Sequence, residues 1–137
     1  MKVALEEDAD DAVLRGLVDG MRAFNGAAVP GLKSHKIVAA IRDDAGALHG
    51  GVIGRMAGDS VYMEIVYNDD AVRGTGLGRE TMKLVEDRAR ELGAREAWLY
   101  TMSFQAKPFY EKLGYHQFAE LPWLGGKHQR HFMRKDL

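Results

Sequence analysis

The spacing of apolar residues changes five times along this chain. From Asp8 to Asn25 the positions Ala12, Val13, Leu17, Met21 and Phe24 recur at intervals of three and four. That period predicts an amphipathic helix with one core-facing stripe, on which Gly16 and Gly20 also lie. Asn25-Gly26 and Pro30-Gly31 break the pattern. Lys36–Arg42, Ala47–Ala57 and Ser60–Tyr67 then read as three strands, joined by turns at Asp43-Asp44-Ala45-Gly46 and Gly58-Asp59. The helical period returns between Gly76 and Leu92, with Leu77, Met82, Leu84, Val85, Ala89 and Leu92 as its apolar positions and Gly93 at the stop. Ala97–Tyr100 is a short buried strand. Gln105–Leu113 is a further helix, with Pro108 in its first turn, where a missing N–H is tolerated. Tyr115–Ala119 and His128–Met133 close the chain as strands, separated by Leu121-Pro122-Trp123-Leu124-Gly125-Gly126.

The order is one helix, three strands, then helix, strand, helix and two strands. It predicts an α/β (α+β) fold: a mixed central sheet of about six to seven strands, partly antiparallel and partly parallel, flanked by helices. The 137 residues suffice for one domain, expected to span 1–137. Nineteen Lys and Arg against 20 Asp and Glu leave no basic stripe for nucleic acid. No apolar run is of membrane-spanning length, and the N-terminus turns acidic at Glu6-Glu7-Asp8, unlike a signal peptide; a cytoplasmic protein is expected. The chain has no cysteine, which removes thiolate nucleophiles and Cys-based metal sites. His128 and His131 form H-x-x-H, but residues three apart on a strand point to opposite faces, so no metal site is expected.

Chemistry concentrates in two segments. Val66-Tyr67-Asn68-Asp69-Asp70 leads from a strand into Arg73-Gly74-Thr75-Gly76-Leu77-Gly78-Arg79, which opens a helix. Bare N–H groups and the partial positive charge of a helix N-terminus make this a phosphate cradle. The spacing fits neither a P-loop nor the G-x-G-x-x-G dinucleotide fingerprint. In the second segment, Phe109 and Leu113 lie one turn apart and should face the core, with Tyr110 about 100° around at its edge. A third candidate is Glu64, a carboxylate inside Val61-Tyr62-Met63-Glu64-Ile65-Val66. Strict alternation places it with Tyr62 and Val66 and opposite Met63 and Ile65.

Together these segments resemble the GNAT superfamily of N-acyltransferases. Arg73-Gly74-Thr75-Gly76-Leu77-Gly78 matches the family's Arg/Gln-x-x-Gly-x-Gly/Ala. Ala106, Phe109, Tyr110, Gly114 and Tyr115 match Asn-x-x-Ala-x-x-Phe/Leu-Tyr-x-x-x-Gly-Phe/Tyr, with Ser103 where Asn is usual. The resemblance implies acetyl-coenzyme A as co-substrate, with no metal. Its pyrophosphate would lie on the N–H groups from Gly74 to Arg79, and its pantetheine arm would pair with the backbone of Val66, Tyr67 and Asn68 as an added strand. Ser103 and Ala106 would flank that arm, Tyr110 would donate to the departing thiolate, and Glu64 is the candidate base. The acceptor implied is a small-molecule or protein amine, bound near Phe24, Asn25, Trp123 and His128; homodimers are common in such proteins. Two alternatives stay open: an acyl-coenzyme A-binding domain without turnover, and a nucleotide-phosphate-binding regulatory module.

Overall fold

The computed structural model describes residues Met1–Leu137, which fall into two compact units, Met1–Leu32 and Lys33–Leu137. The first holds a single helix, α1 (Asp11–Ala28), capped by the Asp10 side chain, which accepts from the Val13 N–H at 3.0 Å. The helix runs through Asn25-Gly26 and stops only before Pro30, so that dipeptide is not the predicted break. The apolar stripe is present, and Phe24 and Asn25 belong to this helix. As a lone helix, the unit contains nothing for the stripe to pack against.

The second unit contains β1 (Ser34–Arg42), β2 (Leu48–Ala57), β3 (Ser60–Asn68), α2 (Leu77–Glu91), β4 (Glu96–Met102), α3 (Lys107–Lys112), β5 (His116–Trp123) and β6 (His128–Asp136). Six strands form one mixed sheet in the order β1-β2-β3-β4-β6-β5. Only β3 and β4 run parallel, and they pair over just three residues, Ser60–Tyr62 against Glu96–Trp98, before separating. The two closing strands are longer than their apolar runs predict. Backbone pairing from His116↔Arg134 to Trp123↔His128 carries the hairpin through Leu121-Pro122-Trp123, where the residue pattern predicts a loop.

One sheet face and α2 enclose the core. Val52, Val61, Met63, Ala97, Leu99 and Met133 meet Met82, Val85 and Ala89 of the helix. The buried stripe of α2 is Gly78, Thr81, Met82, Val85, Glu86 and Ala89, while Leu77 and Leu84 are exposed. Two polar residues thus hold core positions that the apolar pattern does not mark, and each is satisfied. Thr81 donates to the Leu77 carbonyl at 2.6 Å. Glu86 accepts from the Tyr115 hydroxyl at 2.9 Å and from Lys135 Nζ at 2.7 Å.

Strict alternation fails in β3. Ile53 pairs with Ile65 and Gly54 with Met63, so Glu64 is the extra residue of a β-bulge. Beyond it the faces exchange. Val66 pairs with buried Val52 and packs on the core, whereas Ile65 is exposed. Glu64 does share the face of Tyr62, but Val66 has moved to the side of Met63, and the expectation for Val66 and Ile65 is reversed.

Candidate active site

A cleft of about 980 Å³ in the second unit opens where β3 and β4 part. Most residues singled out in the sequence line it: Glu64, Val66, Tyr67, Asn68, Arg73, Gly74, Gly76, Gly78, Arg79, Ala106 and Tyr110. Both sheet faces contribute, since Met63, Leu99 and Thr101 are on the α2 side and Glu64 and Tyr100 on the other. The cleft therefore passes through the sheet.

Its floor at one end is the glycine turn. Asp69 prepares that turn: its side chain accepts from the Ala71 and Val72 N–H groups at 3.0 and 3.2 Å, and its carbonyl accepts from Val72 and Arg73. Asp69 is itself held by His49, whose Nδ1 lies 2.7 Å from one carboxylate oxygen while its Nε2 meets Asp43 at 3.1 Å. Hydrogen bonds to Asp43 and Asp69 raise the His49 pKa above its ordinary value, and the same bonds lower both aspartates. His49 is also the extra residue of a bulge, between the pairs Ile41↔Gly50 and Arg42↔Leu48. Sequence reasoning missed this link, because nothing in the order of residues brings His49 to Asp69.

Gly76, with φ +88°, is the left-handed residue that turns the chain into α2. Gly78 has a different reason: a Cβ there would lie 2.6 Å from Asn68 Nδ2. The N–H groups of Gly74, Gly76, Gly78 and Arg79 have no partner within the chain. Four free donors at the head of a helix fit a pyrophosphate. Thr75 and Leu77 serve the turn internally: Thr75 Oγ1 donates to the Val72 carbonyl at 2.6 Å and accepts from the Leu77 N–H at 3.3 Å. Arg73 pairs with Asp70 at 2.6 Å.

From Met63 to Asn68, β3 has no partner on its β4 side. Such an edge within a sheet can accept an extended ligand through backbone bonds. Ser103 is placed elsewhere. Its Oγ accepts from the Gln129 N–H at 3.1 Å and lies 3.2 Å from His128 Nδ1, fastening the β4–α3 loop to the β5–β6 hairpin. Trp123, His128 and Phe104 cluster there, with ring centroids 5.0 to 6.5 Å apart.

Tyr110 is more deeply placed than its predicted edge position. It is 7% exposed, edge-on to Phe109 and Tyr115, while Phe109 and Leu113 are only partly buried. Burial pushes the Tyr110 hydroxyl up to about 12. It therefore stays protonated across the physiological range and can only donate or accept a hydrogen bond there. Full transfer of its proton to a thiolate of ordinary pKa, about 8.5, is strongly uphill. Glu64 is engaged by the Arg55 guanidinium on β2. Its carboxylate is thus held in place at the mouth of the cleft on the face opposite α2.

A mixed sheet parted at one parallel pair, an anion cradle at the head of a helix and a buried phenol in the same cleft define an acyltransferase enzyme. Residues 18–115 match the model of the Acetyltransferase (GNAT) family, and the chain belongs to that family. It is 26% identical over 121 residues, 88% of each chain, to the acetyltransferase Atu2258 of Agrobacterium fabrum. It is 34% identical over 80 residues, 58% of this chain and 59% of the other, to a blasticidin-S acetyltransferase of Streptomyces morookaense. Among solved structures, one from Agrobacterium tumefaciens, described as a candidate acetyltransferase, superposes over the whole of both chains with a TM-score of 0.90 at 25% identity. An aminoglycoside 6′-N-acetyltransferase crystallised with coenzyme A shares the fold, with a TM-score of 0.65 at 16% identity over 99% of this chain and 97% of that one. No helix of the chain is long and apolar enough to cross a membrane.

Proposed function

We propose that this chain is an acetyl-coenzyme A-dependent N-acetyltransferase that moves the acetyl group directly to a primary amine held in the same complex. The observation that carries this reading is the continuity of one cleft from the unpaired N–H groups of the glycine turn, along the open edge of β3, to Tyr110. Gly74, Gly76, Gly78 and Arg79 would hold the pyrophosphate, and the backbone of Val66, Tyr67 and Asn68 the pantetheine arm. Tyr110 would donate a hydrogen bond to the sulfur as the carbon–sulfur bond breaks, which stabilises the leaving group without complete proton transfer. Glu64, oriented by Arg55, would receive the proton that the acceptor ammonium must lose before attack, directly or through water. The chain has no cysteine to carry an acyl-enzyme, which favours the direct route. The blasticidin-S acetyltransferase likeness makes a small-molecule amine the first acceptor class to test.

The test has two readouts. Acetyl-coenzyme A at saturating concentration should raise the melting temperature of the purified chain by several degrees; no shift would remove the whole reading. With a working acceptor, Tyr110→Phe should lower kcat by about ten- to a hundredfold, the loss of one hydrogen bond to a charged group, with that thermal shift retained. Equal turnover of the variant would take Tyr110 out of the reaction. A retained shift with no coenzyme A release from any amine in a broad screen would favour a binding domain without turnover.

A further inference from the structure

The sheet face opposite α2 carries a continuous row of rings beside the cleft. Tyr62 of β3 stacks on Trp98 of β4 with centroids 4.2 Å apart and planes 22° from parallel. Tyr62 and Tyr100 are 6.4 Å apart, Tyr100 and Phe132 of β6 5.8 Å, and Phe132 and Phe118 of β5 6.3 Å. Tyr100 is the member that lines the cleft, and it is 44% exposed. Over its ring, 5.1 Å from the centroid, sits the guanidinium carbon of Arg130.

Arg130 differs from the other arginines of this face. Arg55 is paired with Glu64, and Arg134 with Glu96 and Asp136. Arg130 has no carboxylate within ion-pair distance, and its Nε, like that of Arg134, is buried without a hydrogen-bond partner. A half-buried guanidinium that rests on a ring and lacks an anion is incompletely satisfied, because a buried polar N–H is costly unless paired. On the same face as Tyr62 stands the Glu64 carboxylate, at the bulge of β3. The row therefore has a negative group on the β3 side and an unmatched positive group on the β6 side, with π-surface between them.

We propose that the acceptor is an amine that also bears a carboxylate, of the aromatic α-amino-acid kind, with its carboxylate on Arg130, its flat body on the Tyr100 ring and its amine at the Glu64 end of the cleft. This rests on the acetyltransferase reading above and names the substrate class of the same site. The charges match in order: ammonium to carboxylate, carboxylate to guanidinium. The planar fork of arginine suits a carboxylate bidentately. Arg130 leaves only a cation–π contact to make that pair, and an aromatic body replaces it on the ring. Tyr62 lies within the field of both charged ends. Burial is the main cause of its raised hydroxyl pKa, Glu64 adds to the rise, and Arg130 opposes it.

The test compares L-phenylalanine, L-tyrosine and L-tryptophan with phenethylamine, tyramine and tryptamine, and with the three amino-acid amides. The readout is coenzyme A release by the full chain at saturating acetyl-coenzyme A. The amino acids should show kcat/KM about ten- to a hundredfold above their decarboxylated and amide counterparts, the range of one charged hydrogen-bonded pair. Arg130→Gln should raise the KM for the amino acids by a similar factor and abolish the preference over the amides, with the KM for acetyl-coenzyme A unmoved. Arg130→Lys should recover part of the preference. A thermal shift with acetyl-coenzyme A checks that each variant is folded. The proposal is overturned if neutral amines react as well as the amino acids, if Arg130→Gln leaves the amino-acid KM unchanged, or if none of the amino acids reacts while acetyl-coenzyme A still shifts the melting temperature. Loss of that shift in the unsubstituted chain would instead overturn the acetyltransferase reading beneath it.

Discussion

Glu86 shows how one buried charge can organise both the core and the border of a site. It is 3% exposed on α2 and gathers the Tyr115 hydroxyl, Lys135 Nζ and, at 4.0 Å, Arg90. Burial, first, and then Glu86 push the Tyr115 hydroxyl well above its ordinary pKa, so Tyr115 remains a neutral donor to that carboxylate. Tyr115 in turn lies edge-on to Tyr110, with centroids 6.1 Å apart. Glu86→Ala leaves a lysine and a phenol without their shared acceptor, and should cost about 3–5 kcal/mol. The melting temperature should fall on the order of 10 °C. Glu86→Gln, which keeps an acceptor for Tyr115, should lose less; equal losses in the two would show that the charge contributes little. None of this was legible in the sequence. Helical periodicity marks where a side chain points, and Leu84 satisfied the pattern better than Glu86 did, yet Leu84 is 58% exposed. The partners that make Glu86 tolerable come from β6 and the turn between α3 and β5, far along the chain.

At the scale of elements, the strands carry their chemistry at irregularities. Two of the three bulges, at His49 and Glu64, put an unpaired residue at the cleft or its supports, while the third, at Phe118, lies on the edge strand β5. The three helices and all six strands are legible in the sequence, because long periodic runs and glycine stops are local signals. The bulges are not, because a bulge is decided by the register of the neighbouring strand. The His49 clamp gives a pH-dependent prediction. Its folded pKa is raised, so the tether is complete below the ordinary histidine value of about 6.5 and is lost as pH rises through the higher folded value. The lowered aspartates contribute above their ordinary value of about 3.8 and fail as pH falls below it. Between those limits the Ala71 and Val72 amides should be most protected from exchange, after correction for the intrinsic pH dependence. In His49→Asn the loss of protection on the alkaline side should vanish; an unchanged profile would show that Asp69 holds the turn unaided. The turn itself is tested at Gly76. A side chain there meets open space but must adopt φ +88°, so Gly76→Ala should cost about 1–2 kcal/mol and weaken protection by acetyl-coenzyme A.

At the scale of the whole molecule, the family was readable from short motifs, since glycine spacing reports backbone geometry directly. The acceptor end proposed above was not. The side chains proposed for it come from β3, β4 and β6, which meet only through the crossover order of the sheet. Arg130 had no local signal at all, and its lack of an anion is visible only once every nearby carboxylate has been assigned. The bulge at Glu64 has a further consequence. The bulge absorbs one residue without changing which way the last four positions of β3 face, so residue 64 adds a side chain at the cleft and leaves the register untouched. Replacing Glu64 by Gln alters one functional group and leaves the chain path intact. Deleting residue 64 restores a regular ladder through the same pairs, Gly54↔Met63 and Ile53↔Ile65, so Val66 and Asn68 stay on the α2 side and Ile65 and Tyr67 stay outside. The deletion variant should therefore fold and keep its thermal protection by acetyl-coenzyme A, as Glu64→Gln does; loss of that protection on deletion alone would show that the bulge itself shapes the open edge of β3. In this strand an added residue is absorbed where the ladder bulges, and a homologue that lacks it would keep the same faces with no change in β2.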